Sequence, residues 1–193
     1  MKLAERVRVE TEEILANDWS ILKKTTLSFQ RRDGSWQRLT RETYDRGNGA
    51  ALLLYNREQR TVLLTRQFRY PAFVNGASDL LLEVCAGLLD RRAPEDAIKA
   101  EVEEELGVRV SEVTKVFESY MSPGSVTELL YFFVAQYSSE DRVGAGGGSA
   151  DEGEDIEAVE LPFDEALAMI DRGEIVDGKT IMLLLYASRK QLL

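Results

Sequence analysis

The sequence predicts a sandwich of sheet and helices, of the α/β or α+β class. Short alternating or apolar runs dominate the middle of the chain, amphipathic helical segments stand between and after them, and glycine-rich or polar punctuation separates them. Residues 19–28 alternate like a strand that continues into Phe29 and Gln30. Asp33-Gly34 is a hairpin turn signal, and 35–44 is the returning strand. The residues ahead of Trp19 read as a short polar lead-in. After Gly47-Asn48-Gly49, strands are expected at 50–55 and 61–68, then a buried strand at 80–84 leading into Ala86-Gly87. Residues 94–106 carry the strongest helix signal: proline near the first turn, Glu95 and Asp96 at the positive end, and Gly107 just past the close. Further strands are expected at 113–120, 129–136 and 156–161. Helices follow at 163–171, closed by Gly173, and from about Gly178. Residues 138–155 are rich in Ser, Gly, Asp and Glu and are expected to form a mobile loop.

The chain has 193 residues, 44% of them hydrophobic, which suits one domain with a substantial core and leaves room for a small appendage. No stretch approaches the roughly 20 apolar residues that span a bilayer, and the N-terminus lacks the apolar run of a signal peptide. No membrane partner is expected. Cys85 is the only cysteine, which rules out an internal disulfide and points to a reducing, cytoplasmic setting. A formal charge of −10 argues against nucleic acid as a partner. An anionic substrate would need local arginines or a bridging cation. The absence of histidine removes Ser-His-Asp and Cys-His catalysis and all histidine-ligated zinc sites.

Glu101, Glu103, Glu104 and Glu105 crowd the last turns of the 94–106 helix, the end whose dipole is already negative. At about 100° per residue, Glu101, Glu104 and Glu105 share one face. Ile98, Val102 and Leu106 form an adjoining apolar face, and Glu103 points nearly opposite the triad. An acidic surface face is the commoner reading of such a cluster. Convergent carboxylates at a negative dipole end make sense, however, if a hard divalent cation sits among them. Gly87 lies a short loop before the helix and would let backbone carbonyls approach a metal.

Gly87-Leu88-Leu89-Asp90, followed by Glu101-Val102-Glu103-Glu104-Glu105-Leu106-Gly107-Val108, resembles the Nudix box, G-x5-E-x7-R-E-U-x-E-E-x-G-U with U bulky and aliphatic. The spacing from Gly87 to Glu101 is one residue short, Ala93 stands where the first glutamate is expected, and Ala100 replaces the arginine. The E-x-x-E-E core is intact. The likeness extends over nearly the whole chain. Tyr44 to Gly49, Met121-Ser122-Pro123-Gly124 with Val126-Thr127-Glu128, Gly146-Gly147-Gly148 and Asp177-Gly178-Lys179-Thr180 resemble the GDP-mannose hydrolase branch. Arg66-Gln67-Phe68-Arg69 and Glu154-Asp155-Ile156 are shared with ADP-ribose hydrolases.

The resemblance implies an α+β Nudix fold: an α/β/α sandwich with a mixed sheet and an N-terminal antiparallel β-hairpin extension. Residues 1–45 would be the strand region used in dimerisation and 46–193 the hydrolase domain. It further implies Mg²⁺, with Mn²⁺ as a possible substitute, held by the Ala86 carbonyl, Glu101, Glu105 and Glu154. Glu104 would support or share a second ion. Glu152 and Glu154 are the candidates for general base in the loop, Glu152 preferred because it has more freedom to swing over substrate. Arg69 and Lys179 would meet phosphate, and Glu128 the sugar hydroxyls. Ala86, Gly87 and Gly148 would also line the substrate site. Arg41, Glu42 and a partner's Trp19 would contact the nucleoside of a homodimer. The expected reaction is Mg²⁺-dependent cleavage of a nucleotide sugar, GDP-mannose to GMP and mannose 1-phosphate. ADP-ribose or another nucleotide sugar is the alternative substrate. A regulator that binds nucleotide sugars without cleaving them is a further alternative, which the intact Glu101, Glu104 and Glu105 disfavour.

Overall fold

The N-terminal segment builds a three-stranded antiparallel sheet from β1 (Val7–Asn17), β2 (Ile21–Gln30) and β3 (Trp36–Asp45), in that order. This computed structural model describes residues 2–89 and 91–193, without the side chain of Glu152. Strand β1 occupies the residues expected to be a polar lead-in, and that expectation is corrected. Nearly all its side chains are exposed, and two register irregularities interrupt its pairing with β2. Val7, Val9 and Thr11 alternate with Arg8, Glu10 and Glu12, but Glu13 ends the alternation, and with no buried face nothing extends it along the strand. Arg6 and Arg8 lie over the rings of Phe29 and Trp36, at 4.8 and 3.9 Å from the centroids. Residues 120–129 join this unit: Tyr44 pairs with Val126, with Tyr44 N–H donating to the Ser125 carbonyl at 2.8 Å and Thr127 N–H to the Tyr44 carbonyl at 3.1 Å.

Residues 49–119 and 130–193 form the second unit, around a mixed sheet. Its main path runs β10 (Glu157–Pro162), β5 (Thr61–Gln67), β4 (Gly49–Asn56), β9 (Leu129–Gln136), β8 (Thr114–Tyr120). Two short strands join it: β6 (Leu81–Glu83) on β5, and β7 (Cys85–Leu88) on β4. Strands β4 and β9 are parallel, whereas β5 is antiparallel to β4, β6 and β10. Residues 50–54 of β4 are all buried, as a strand covered on both faces requires. Among the described residues, four α-helices complete the unit: α1 (Tyr70–Val74), α2 (Pro94–Leu106), α3 (Phe163–Asp171) and α4 (Gly178–Lys190). Ile98, Val102 and Leu106 of α2 share a core with Leu52, Leu54, Leu63 and Phe133 of the sheet. Among the described residues, no helix is long and apolar enough to cross a membrane.

Helix α2 starts at Pro94 and closes at Gly107 in the left-handed conformation, as its caps predict. The segment expected to be a mobile loop is fastened to it. Gly147 N–H donates to the Glu105 carbonyl at 3.0 Å and Gly148 N–H to the Glu104 carbonyl at 3.2 Å. Val143 N–H donates to the Gly107 carbonyl at 2.8 Å. Carbonyls at a helix C-terminus have no partner within the helix, so the loop supplies partners the helix cannot. The polar, glycine-rich composition here serves tight packing on a helix end.

Candidate active site

The C-terminal half of α2 sets the electrostatics. Glu105 is 2% exposed, and its Oε2 is a buried side-chain oxygen without a hydrogen-bond partner among the described residues. Burial, with the charges of Glu101 and Glu154 alongside, pushes its carboxyl up to about 8, although the Cys85 thiol hydrogen-bonds to it. Glu101 packs against Gly87 of β7, where a Cβ would overlap its carboxyl. Glu154 is held by Ser149, whose backbone N–H donates to its Oε2 at 2.9 Å, and it abuts Gly148. Ala86 sits beside Gly87 on β7, paired with Ala51 of β4. The protein thus brings together Ala86, Gly87, Glu101, Glu105, Gly148 and Glu154.

Glu104 is placed differently. It is exposed, and the carboxylates that chiefly raise Glu105 are Glu101 and Glu154. Glu103 is turned away, with its carboxylate on the Arg109 guanidinium at 2.6 and 2.9 Å. The side chain of Glu152 lies outside the described residues. Among the described residues, no three acidic or cysteine side chains already sit in ligating geometry. A divalent cation nevertheless fits the residues present. A buried carboxylate oxygen with no donor, beside two more carboxylates, is the uncompensated charge that such an ion would neutralise.

A second charged cluster joins β6 to the start of α4. Arg69, at the N-terminal end of α1, donates from Nε to Glu83 Oε1 at 2.7 Å and from Nη2 to Oε2 at 3.3 Å. The Lys179 ammonium donates to Glu83 as well, and to Asp177 Oδ1 at 2.9 Å. Asp177 caps α4 by accepting the Thr180 N–H at 2.9 Å, and Thr180 Oγ1 accepts the Val84 N–H at 2.8 Å. Glu83 is 2% exposed. Burial pushes its carboxyl up, but Lys179 and Arg69 outweigh that and hold it below its ordinary value. The Arg69 and Lys179 expected to meet phosphate are therefore brought together by Glu83, which the sequence analysis did not single out. A signal existed: Glu83 is the lone charge in an otherwise apolar strand, where an unpaired acid would be costly.

In the N-terminal unit, Arg41 and Glu42 line a cavity of ≈ 540 Å³ with Thr43, Tyr120 and the 123–127 segment. Its size is ordinary for a ligand pocket. Glu128 is ion-paired at 3.6 Å with Arg46. Trp19 stands 84% exposed in the bend between β1 and β2.

Residues 45–184 match the NUDIX domain profile. The chain belongs to the Nudix family of hydrolases. Members of this family generally work with divalent metal ions. Residues 6–44 match the profile described as the GDP-mannose pyrophosphatase NudK N-terminal domain. Similar curated proteins are the GDP-mannose pyrophosphatases of Citrobacter koseri, 50% identical over 99% of this chain and 100% of that one, and of Pectobacterium atrosepticum, 52% identical over 94% and 93%. A crystal structure of an ADP compounds hydrolase superimposes with a TM-score of 0.71, covering 97% of this chain and 94% of that one. At 18% identity, that likeness speaks for the Nudix fold alone.

Proposed function

We propose that this Nudix hydrolase cleaves the pyrophosphate of GDP-mannose, adding water to give GMP and mannose 1-phosphate. Its activity would require Mg²⁺, with Mn²⁺ as a substitute, and it would work as a cytoplasmic homodimer. The names of relatives about half identical along nearly the whole chain support the substrate. The unpartnered Glu105 oxygen, buried beside two further carboxylates, carries the chemistry. The Ala86 carbonyl, Glu101, Glu105 and Glu154 would hold the ion, which when bound would neutralise pyrophosphate charge and acidify the attacking water. Glu152 would take the proton of that water, with Glu104 in support. Arg69 and Lys179 would bind phosphate oxygens. Glu128, Arg41 and Glu42, with Trp19 of a second copy, would select sugar and nucleoside.

Product analysis on a panel of nucleotide sugars tests this reading. GMP and mannose 1-phosphate should form from GDP-mannose with Mg²⁺, and not in excess chelator. Added cation should also raise the melting temperature, as any ligand of the folded state alone must. Full turnover in chelator would remove the metal from the site, and faster cleavage of ADP-ribose would replace the substrate.

A further inference from the structure

Glu83 cannot itself meet an anionic substrate, because it is anionic and almost wholly buried. Its surroundings define another use. Its two carboxylate oxygens take both Nε and Nη2 of Arg69 and the ammonium of Lys179, side chains from separate elements 110 positions apart in the chain. The strand that carries it is fixed on both sides. Thr65 Oγ1 of β5 donates to the Glu83 carbonyl at 3.1 Å, and Val84 N–H donates to Thr180 Oγ1 of α4 at 2.8 Å. Thr180 in turn donates from Oγ1 to Asp177 Oδ2 at 2.6 Å, and Asp177 also engages Lys179. A guanidinium has five donors in a fixed fork. With Nε and Nη2 committed to Glu83, Nη1 is the guanidinium nitrogen with no protein partner among the described residues, on a side chain that is 39% exposed.

We propose that Glu83 is a positioning residue for substrate phosphate: it locks Arg69 and Lys179 as a preformed two-cation cradle, so that neither long side chain must be ordered when the anion arrives. The inference rests on the phosphate role given to Arg69 and Lys179 above. A cradle built in advance saves the side-chain ordering that binding would otherwise cost. It acts alike on ground and transition state, so its loss appears in KM and leaves kcat nearly unchanged. The opposite reading makes Glu83 a competitor that screens the two cations from phosphate. Its removal would then tighten binding.

The test uses the full chain with Mg²⁺ and GDP-mannose, comparing kcat and KM for the wild type, Glu83→Gln, Arg69→Ala and the double variant, with melting temperatures to check folding. Glu83→Gln should raise KM about tenfold and change kcat less than about threefold. Arg69→Ala should raise KM at least as much. In the double variant the two KM factors should fall short of their product by about threefold or more, because Glu83 acts in part through Arg69. Unchanged or lowered KM in Glu83→Gln, or factors that multiply, would overturn the positioning role while leaving the phosphate role of Arg69 standing. An unchanged KM in Arg69→Ala would overturn the phosphate role and the inference with it. If Glu83→Gln fails to fold, Arg69→Lys serves instead. It keeps the charge but loses the two-bonded fork on Glu83, and a wild-type KM there would equally overturn the inference.

Discussion

Glu103 and Glu105 stand two positions apart on α2 and meet opposite surroundings. Glu103 is paired with Arg109 at the surface, whereas Glu105 is buried against like charges with one oxygen unsatisfied. Glu105→Gln should lower kcat by about 10²-fold or more, the scale of a lost electrostatic stabiliser, and Glu103→Gln should change it little. Steady-state kinetics on both variants checks this, and equal losses would break the division of roles. The same residue shapes the metal-free fold. Its carboxyl lies near 8 in the folded chain against an ordinary 4.5, so the folded state holds a proton that the unfolded state has released. Stability of the metal-free protein should therefore fall as pH rises from about 4.5 to 8 and level off above. In Glu105→Gln, melting temperatures over that window should show a flatter dependence. Periodicity alone placed Glu103 apart from the acidic triad. It could not tell buried Glu105 from exposed Glu104, because one residue of rotation decides which of them faces the sheet.

At the scale of elements, the end of α2 and the glycine loop form one construction. Gly146 has φ +70°, and a Cβ there would overlap the Glu105 carbonyl. Gly146→Ala therefore meets both a backbone strain and a collision with the helix turn that presents Glu105. The variant should melt several degrees lower and lose about tenfold or more in kcat. Gly147→Ala meets no neighbouring atom within 4 Å among the described residues, so the strain of its positive φ is the cost and it should lose less activity. Thermal melts with kinetics decide this, and equal activity in the two would detach the loop from the helix. Helix α2, the longer strands of the mixed sheet and the turn signals were legible because each carries a local rule: caps, alternation, Asp-Gly. The loop's docking was not, since it depends on carbonyls 36 to 44 residues away that are unsatisfied only once the helix exists. Strand β1 hid for another reason: with no buried face its alternation runs only from Val7 to Glu12 and stops at Glu13, half-way along the strand. Strand β7 and helix α1 are four and five residues long, too short for any period to show.

The whole molecule carries ten net negative charges and is proposed to bind an anion. Bulk charge would therefore repel what the site is proposed to attract, and selection would fall to local features: the proposed Arg69–Lys179 cradle and a cation among the carboxylates. Association belongs to this scale too. The outer edge of β1 has no strand beside it among the described residues, and Val9, Ile14 and Leu15 stand 60%, 59% and 42% exposed. Trp19, at the adjoining bend, is 84% exposed. A long edge strand with apolar side chains invites pairing with another chain, and a large exposed aromatic is a common anchor of protein interfaces. The proposed homodimer would use this face, with Trp19 of one copy reaching the nucleoside bound by the other. Light scattering at micromolar concentration should give about twice the 21.7 kDa chain mass. Trp19→Ala should raise KM for GDP-mannose about tenfold with kcat nearly kept, since a nucleoside contact is lost equally in ground and transition states. A fully active monomer would refute the shared site. A dimer whose Trp19→Ala variant keeps wild-type KM would leave the association standing and remove Trp19 from substrate binding.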